Sequence, residues 1–266
     1  MGKYNTILLD IKDNVATITL NRPDKMNAIN DELMEELPAA FAEADADEDV
    51  RVIVLTGGDK VFCTGYDIEG GDTKYADLDV PIQGALTIAR AGREKYLDII
   101  NTRKPTIARV KGYCFAGGCY LQMLCDVTIA AEDAIFGHPA VASAGPTGFP
   151  LWVWYLGAKK AKEFLFTGRF VDGKEAEKIG LINLAVPPDK LDEEVALMAK
   201  DMAAVPTDVI TLHKESVNTI LEIMGLSASF RTQSELNALG RYGAANLDIE
   251  YLRGATKDRL KRMKRG

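Results

Sequence analysis

Residues 104–137 read KPTIARVKGYCFAGGCYLQMLCDVTIAAEDAIFG, and this stretch indicates an α/β fold. An apolar run typical of a strand leads into a glycine turn and a short apolar helix, and two further strand-like runs follow. The adjacent Gly117 and Gly118 are costly to order, because glycine loses more backbone entropy on folding than any other residue. A glycine pair at a helix start therefore suggests a need for backbone N–H groups that no side chain covers.

The flanking sequence extends the same alternation of strands and helices. Residues 7–20 alternate around a KDN turn and predict a β-hairpin, and residues 52–58 form a continuous apolar run suited to a buried parallel strand. Between them Asn30 is placed to cap a helix that Pro38 is expected to kink or to shift at its start. Residues 69–79 are the most loop-like, and a long helix is predicted to follow as far as about Thr102.

The order of elements predicts an α/β core with a helical C-terminal region. Strands are expected to alternate with helices until about residue 187, with helices only beyond it. After a Gly/Pro-rich loop at 145–150, most of the chain is expected to be helical. No internal repeat of 20–50 residues is visible in the letters.

Composition excludes several functional classes. The chain has 266 residues, 47% of them hydrophobic, and a net charge of −7, which disfavours nucleic acid as a partner. No apolar run is long enough to span a membrane, so no membrane partner is expected. Four cysteines without a regular framework predict reduced thiols in a cytoplasmic protein. With two histidines and no zinc-type spacing, no metal is expected.

Two segments combine a strand, a glycine turn and a helix start or turn. They are VFCTGYDI at 61–68 and GYCFAGGCY at 112–120. The first N–H groups of a helix lack acceptors within the helix and carry partial positive charge, so each segment is suited to an anionic oxygen. Two such donors meeting at one point would form an oxyanion hole.

Four motifs in register resemble the crotonase (enoyl-CoA hydratase/isomerase) superfamily over nearly the whole chain. They are LNRPDKMNAIN at 20–30, VIVLTGGDKVFCTGYDI at 52–68, the 104–137 stretch and FTGRFVDGKEAEKIGLIN at 166–183. The resemblance implies a ββα spiral acyl-CoA-binding core at 1–200 and a C-terminal helical trimerisation region at 201–266. It also implies a homotrimer or homohexamer, and an acyl-CoA substrate. No separate cofactor is expected, because coenzyme A is part of that substrate.

The resemblance also implies site residues. The two carbonyl-binding N–H groups correspond to Tyr66, next to Gly65, and to Gly117. Coenzyme A is expected to run beside Lys25, Met26 and Ala28, although Lys25 could equally be solvated.

The sequence departs from the hydratase pattern at both catalytic carboxylates. The position of the first glutamate is occupied by Tyr120 and that of the second by Ala140. Neither residue provides the ionised base that ordinary water addition uses near neutral pH, since a tyrosine hydroxyl has a pKa of about 10. The resemblance therefore implies an atypical member that is not a standard crotonyl-CoA hydratase.

Several residues are candidates for the missing chemistry or for the acyl pocket. His138 could be a general base or could only hydrogen-bond its turn, and Tyr120 could donate a hydrogen bond, shape the pocket or simply pack. Phe149 and Trp152 could line a bulky acyl pocket, with core or subunit packing as the alternative. Asp67 is expected to secure its turn more than to touch substrate.

Four functions stay open. The favoured one is an acyl-CoA enzyme that stabilises a thioester enolate with non-standard acid/base residues, in isomerisation, atypical hydration or C–C cleavage. Decarboxylation of a malonyl-type thioester would form the enolate without a base. Thioester hydrolysis is disfavoured because no carboxylate nucleophile or base is evident, and a non-catalytic acyl-CoA-binding protein would keep the N–H pair as a relic of the fold.

Overall fold

A computed structural model describes residues 3–67, 81–139 and 149–243, with residues 254, 257, 258, 260, 261 and 263 near the C-terminus. The strands of this part are β1 Ile7–Lys12, β2 Val15–Leu20, β3 Val52–Thr56, β4 Val61–Cys63, β5 Thr106–Val110, β6 Tyr113–Phe115, β7 Val127–Ala131, β8 Ile135–Gly137, β9 Phe170–Asp172 and β10 Leu184–Val186. Its α-helices are α1 Asp31–Ala46, α2 Ile82–Ile100, α3 Gly117–Leu124, α4 Leu151–Thr167, α5 Gly173–Lys178, α6 Leu191–Ala204, α7 Thr207–Ile223 and α8 Leu226–Gly243. The predicted loop at 69–79 lies outside the described residues, as does most of the loop at 145–150.

The larger sheet has the strand order β1-β2-β3-β5-β7-β10. Its β1–β2 hairpin is antiparallel and the other neighbours are parallel. The hairpin turns at Asp13 and Asn14, both at positive φ, as a tight two-residue hairpin requires. Every residue of β3 is buried, as expected for a parallel strand covered on both faces. The predicted hairpin and buried strand are confirmed.

The second sheet has the order β4-β6-β8-β9, in which only β8 and β9 are antiparallel. Residues 104–114, predicted as one strand, form two strands that belong to different sheets. The first strand ends before Gly112, where φ is +70° and a Cβ would lie 2.2 Å from the Lys60 carbonyl oxygen. This close approach requires a turn at a position where the sequence pattern predicts one continuous strand.

From β3 to β8, successive strands along the chain are added alternately to the two sheets. β3, β5 and β7 enter the larger sheet, and the strand that follows each of them, β4, β6 or β8, enters the smaller one before the next helix. This repeated strand–strand–helix turn is the α/β core expected from the sequence. The short helix and the two strand-like runs predicted after the glycine turn are confirmed as α3, β7 and β8.

Helix α1 begins as predicted. The Asn30 side chain accepts a hydrogen bond of 3.0 Å from the Leu33 N–H, which caps the first turn. Pro38 neither shifts this start nor ends the helix, which continues to Ala46 with Leu37 and Phe41 buried on its inner face. Of the two expected effects of Pro38, a kink or a shifted start, the shifted start does not occur.

The C-terminal part contains only helices after residue 187 in the described residues. Helix α8 packs along α2 of the core, and α6 spans the predicted division at residue 200. The separate role assigned to residues 201–266 stays a prediction. Among the described residues, no helix has both the length and the apolar character needed to cross a bilayer.

Candidate active site

The two predicted donor segments meet at one edge of the smaller sheet. β4 and β6 are parallel neighbours, so the turns that follow them, at Gly65–Tyr66 and Ala116–Gly117, emerge side by side. A Cβ built on Gly65 would lie 3.3 Å from the Gly117 nitrogen, and one built on Gly117 would lie 3.4 Å from the Gly65 Cα. The pairing of two strands therefore brings together segments about fifty residues apart in the chain.

Bridging hydrogen bonds set the direction of the Tyr66 backbone. The Ile29 N–H donates to the Gly65 carbonyl over 2.8 Å, and the Asp67 N–H donates to the Ile29 carbonyl over 2.8 Å. In a parallel bridge of this kind the residue between the two partners directs its own N–H and C=O to the other side. The Tyr66 N–H therefore points away from Ile29.

The turn before Gly117 has an unusual backbone conformation. Ala116 has φ 47° and ψ −113°, which is costly for a residue with a Cβ, and its N–H donates to the Gly137 carbonyl over 2.9 Å. Gly117 follows as the first residue of α3, where an N–H has no acceptor within the helix. Such strain is often found at functional positions, and here it orients the start of α3.

Neither turn has room for a side chain at its glycine. Gly65 has φ +99°, and a Cβ there would lie 2.9 Å from the Ala116 Cβ. A Cβ on Gly117 would lie 2.9 Å from the Ile29 side chain and 3.3 Å from the Tyr66 ring. The glycines therefore allow the close approach of the two turns.

Tyr120 lies at the centre of a group of rings next to these turns. The aromatic cluster, as we name it, consists of Tyr66, Tyr96, Tyr120, His138, Phe149 and Trp152. The Tyr120 ring stacks on Phe149 with centroids 4.2 Å apart, and its centroid lies 5.7 Å from that of His138. Tyr120 is buried, so it packs in the core and borders the donor turns at the same time.

His138 is enclosed by this cluster. It is only 5% exposed, and its Nδ1 has no hydrogen-bond partner among the described residues. Burial lowers the pKa of His138 from 6.5 to about 4, because the charged imidazolium loses its hydration. The imidazole is therefore neutral near pH 7 and a weaker base than a solvated histidine.

Tyr96 is a site residue that the sequence analysis missed. Its hydroxyl hydrogen-bonds that of Tyr66, and burial raises its pKa well above the usual 10. The signal lies in its spacing, because Tyr96, Ile99 and Ile100 are buried at i, i+3 and i+4 on α2. The Arg93 and Glu94 side chains on the same helix pair with each other.

The predicted coenzyme A contacts lie at the rim. Lys25 and Met26 are exposed in and after a 3₁₀ turn at Pro23–Lys25, and the Ala28 carbonyl accepts a hydrogen bond from the Arg22 guanidinium. Asp67, 6% exposed, forms an ion pair with Arg22 over 3.0 Å. This pair ties the 20–30 segment to the Tyr66 turn, in agreement with a structural role for Asp67.

The structure brings seven of the predicted residues together and leaves Lys25 and Met26 at the rim. Gly65 and Gly117 meet at the turns, and Tyr66, Tyr120, His138, Phe149 and Trp152 surround them or pack behind them. Phe149 and Trp152 are fully buried, and Phe149 also contacts Phe230 of α8, a residue that the sequence analysis did not select. Ala140 lies outside the described residues.

Comparisons with known proteins agree with this architecture. A family model described as Enoyl-CoA hydratase/isomerase matches residues 10–239. A probable enoyl-CoA hydratase of Rhizobium meliloti (strain 1021) is 40% identical over 223 residues, 83% of this chain and 84% of that protein. A probable mitochondrial enoyl-CoA hydratase of Dictyostelium discoideum is 34% identical over 224 residues, 83% of this chain and 78% of that protein.

Solved structures give the same result. The crystal structure of an enoyl-CoA hydratase/isomerase from Xanthobacter autotrophicus Py2 has a TM-score of 0.87 at 30% identity, covering 98% of this chain and 96% of that chain. That of a probable enoyl-CoA hydratase from Mycobacterium thermoresistibile has a TM-score of 0.84 at 36% identity, covering 92% and 99%.

The protonation of His138 provides a direct test of its burial. We expect its imidazole to titrate near pH 4, which would appear as a midpoint in the ¹⁵N chemical shifts of the ring followed against pH. The chain has two histidines, so a His138→Asn variant identifies the signal by removing it. A midpoint at pH 6.5 or above would contradict the enclosed placement.

The same burial has a consequence for stability. The folded pKa lies below the unfolded value of 6.5, so the unfolded chain binds more protons between pH 6.5 and about 4. The free energy of unfolding should therefore fall as the pH is lowered through this window, by about 1.4 kcal/mol per pH unit from this group. Urea unfolding of the His138→Asn variant should show a shallower fall than the wild type.

Proposed function

The chain belongs to the enoyl-CoA hydratase/isomerase family, and we propose that it stabilises the enolate of an acyl-CoA thioester with the N–H groups of Tyr66 and Gly117. The observation that carries the proposal is the close approach of the two turns: a Cβ placed on Gly65 would lie 3.3 Å from the Gly117 nitrogen. An enolate places negative charge on the thioester oxygen, and preorganised amides favour it over the neutral ground state.

The groups near the turns are suited to hydrogen bonding more than to acting as strong bases. Burial keeps His138 neutral and raises the pKa of Tyr96, while Asp67 is paired with Arg22. The reaction therefore relies on the oxyanion hole, with Tyr120 or His138 transferring or orienting a proton. Isomerisation, atypical hydration and C–C cleavage each proceed through such an enolate.

Decarboxylation of a malonyl-type thioester is the second candidate. The aromatic cluster holds no carboxylate, and its histidine is a weak base. Loss of CO₂ leaves its electron pair on the α-carbon, so the enolate forms without proton abstraction. Ring-lined surroundings also favour the loss, because they hydrate the substrate carboxylate poorly.

If the two N–H groups bind the thioester oxygen, the protein should bind a ligand with a carbonyl more tightly than its analogue without one. Acetyl-CoA should bind about 30-fold more tightly than S-ethyl-CoA, its thioether analogue without a carbonyl, because two hydrogen bonds contribute about 1 kcal/mol each. Isothermal titration calorimetry measures both affinities, and free coenzyme A serves as the control for the rest of the ligand. Equal affinities would contradict a role for the Tyr66 and Gly117 N–H groups.

The reaction can be identified with a panel of acyl-CoA esters in D₂O analysed by mass spectrometry. We expect deuterium at the α-carbon of enoyl or β-keto esters, with crotonyl-CoA hydrated slowly. CO₂ release from malonyl-type esters alone would favour the second candidate. Rapid hydration of crotonyl-CoA would contradict the proposed atypical chemistry, and binding without any change of the panel would contradict catalysis.

We also propose that the protein is a homotrimer or homohexamer that packs through α7. This helix has no buried residue, and one side of it exposes Leu212, Ile220 and Ile223 by 68%, 54% and 81%. An apolar face of this kind on a soluble protein commonly marks a contact with another chain.

A double variant tests this interface. Light scattering coupled to size-exclusion chromatography should give three or six copies of the 29.0 kDa chain for the wild type and monomers for Leu212→Asp/Ile220→Asp. Phe166→Asp changes an equally apolar residue, 79% exposed on α4, and should leave the assembly intact. A monomeric wild type, or an unchanged double variant, would exclude this face.

A further inference from the structure

Two buried polar atoms in the aromatic cluster have no hydrogen-bond partner among the described residues. They are Nδ1 of His138 and Nε1 of Trp152, on side chains that are 5% and 0% exposed. Their ring centroids lie 5.9 Å apart with an interplanar angle of 55°, so the two unpaired atoms belong to neighbouring rings. A third such atom, on Gln122, belongs to an amide whose oxygen already accepts from Thr128.

An unpaired buried polar group is costly. Each one loses the hydrogen bonds that water supplies to the unfolded chain, so two in one cluster call for a partner that the described protein residues do not provide. Both rings also contact Tyr120, which lies one helical turn after Gly117 on α3. The two nitrogens are therefore placed behind the proposed oxyanion hole, where the acyl group of a bound thioester would extend.

Resting on the proposed function, we infer that Trp152 Nε1 and His138 Nδ1 bind an uncharged oxygen on the acyl group, so that the substrates are cyclic keto or hydroxy acyl-CoA esters. The indole N–H can only donate, so its partner must be an acceptor. A ketone accepts from both nitrogens, and a hydroxyl accepts from Trp152 while donating to His138. A carboxylate fits less well, because burial opposes the charged imidazolium that would balance it.

The rings around these nitrogens favour a flat or cyclic group. Tyr120 and Phe149 are stacked with an interplanar angle of 12°, and Trp152 meets Tyr120 edge-on at 78°. They make the surroundings of the two nitrogens aromatic and apolar, and such surroundings favour a cyclic acyl group whose few polar atoms fix its orientation. The alternative partner is an ordered water molecule, which would satisfy the same nitrogens without selecting a substrate.

Matched ligands separate a substrate oxygen from a water molecule. The probes are 3-oxo- and 4-oxocyclohexanecarboxyl-CoA, each compared by calorimetry with cyclohexanecarboxyl-CoA, which has the same ring without the ketone. We expect one of the keto esters to bind about tenfold or more tightly than the ring without oxygen. Trp152→Phe should reduce this ratio to about one.

Two further variants make the result specific. His138→Leu should also remove the preference, which provides a second test if Trp152→Phe folds poorly. Trp154→Phe is the matched control, because it changes an indole on the same helix outside the aromatic cluster and should keep the wild-type ratio.

The outcomes distinguish this inference from the proposed function. Equal binding of all three esters to the wild type, or a preference that survives both Trp152→Phe and His138→Leu, contradicts the subsite alone. Failure of every ester to bind contradicts the proposed acyl-CoA function and the subsite with it.

Discussion

The contact between Gly65 and Gly117 is the constraint on which the site depends. Parallel pairing of β4 and β6 places the two turns side by side, and the absence of Cβ atoms allows their close approach. The strained backbone of Ala116, held by Gly137 of β8, then sets the start of α3. Three neighbouring strands of the smaller sheet, β4, β6 and β8, thus contribute to the position of the two turns.

Much of this arrangement could be predicted from the sequence, because it depends on local backbone features such as strands, glycine turns and a helix start. The glycines at 65 and 117 and the strands before them are local signals, and α3 begins where the apolar helical pattern begins. The break at Gly112 was missed because its cause, the close approach of Lys60, is a long-range contact. Tertiary contacts of this kind leave no trace in a local pattern.

The side chains behind the turns were only partly predictable. Tyr120, His138, Phe149 and Trp152 could be selected by their positions in motifs, but their mutual stacking could not. Tyr96 could have been found from the buried stripe on α2. Phe230 could not, because it arrives from α8, a helix far along the chain whose docking on α2 is a tertiary event.

Burial links the geometry of the cluster to its chemistry. The rings that enclose His138 remove the water that would support its charge, so the same packing that positions the imidazole weakens it as a base. A carboxylate in place of Tyr120 would need hydration or a counter-charge in its ionised form. The enclosed packing that keeps His138 neutral would not provide the hydration. The aromatic packing and the absence of a carboxylate at Tyr120 are therefore consistent with one another. Together they agree with the proposed chemistry, in which backbone amides stabilise the developing charge and neutral side chains select the acyl group.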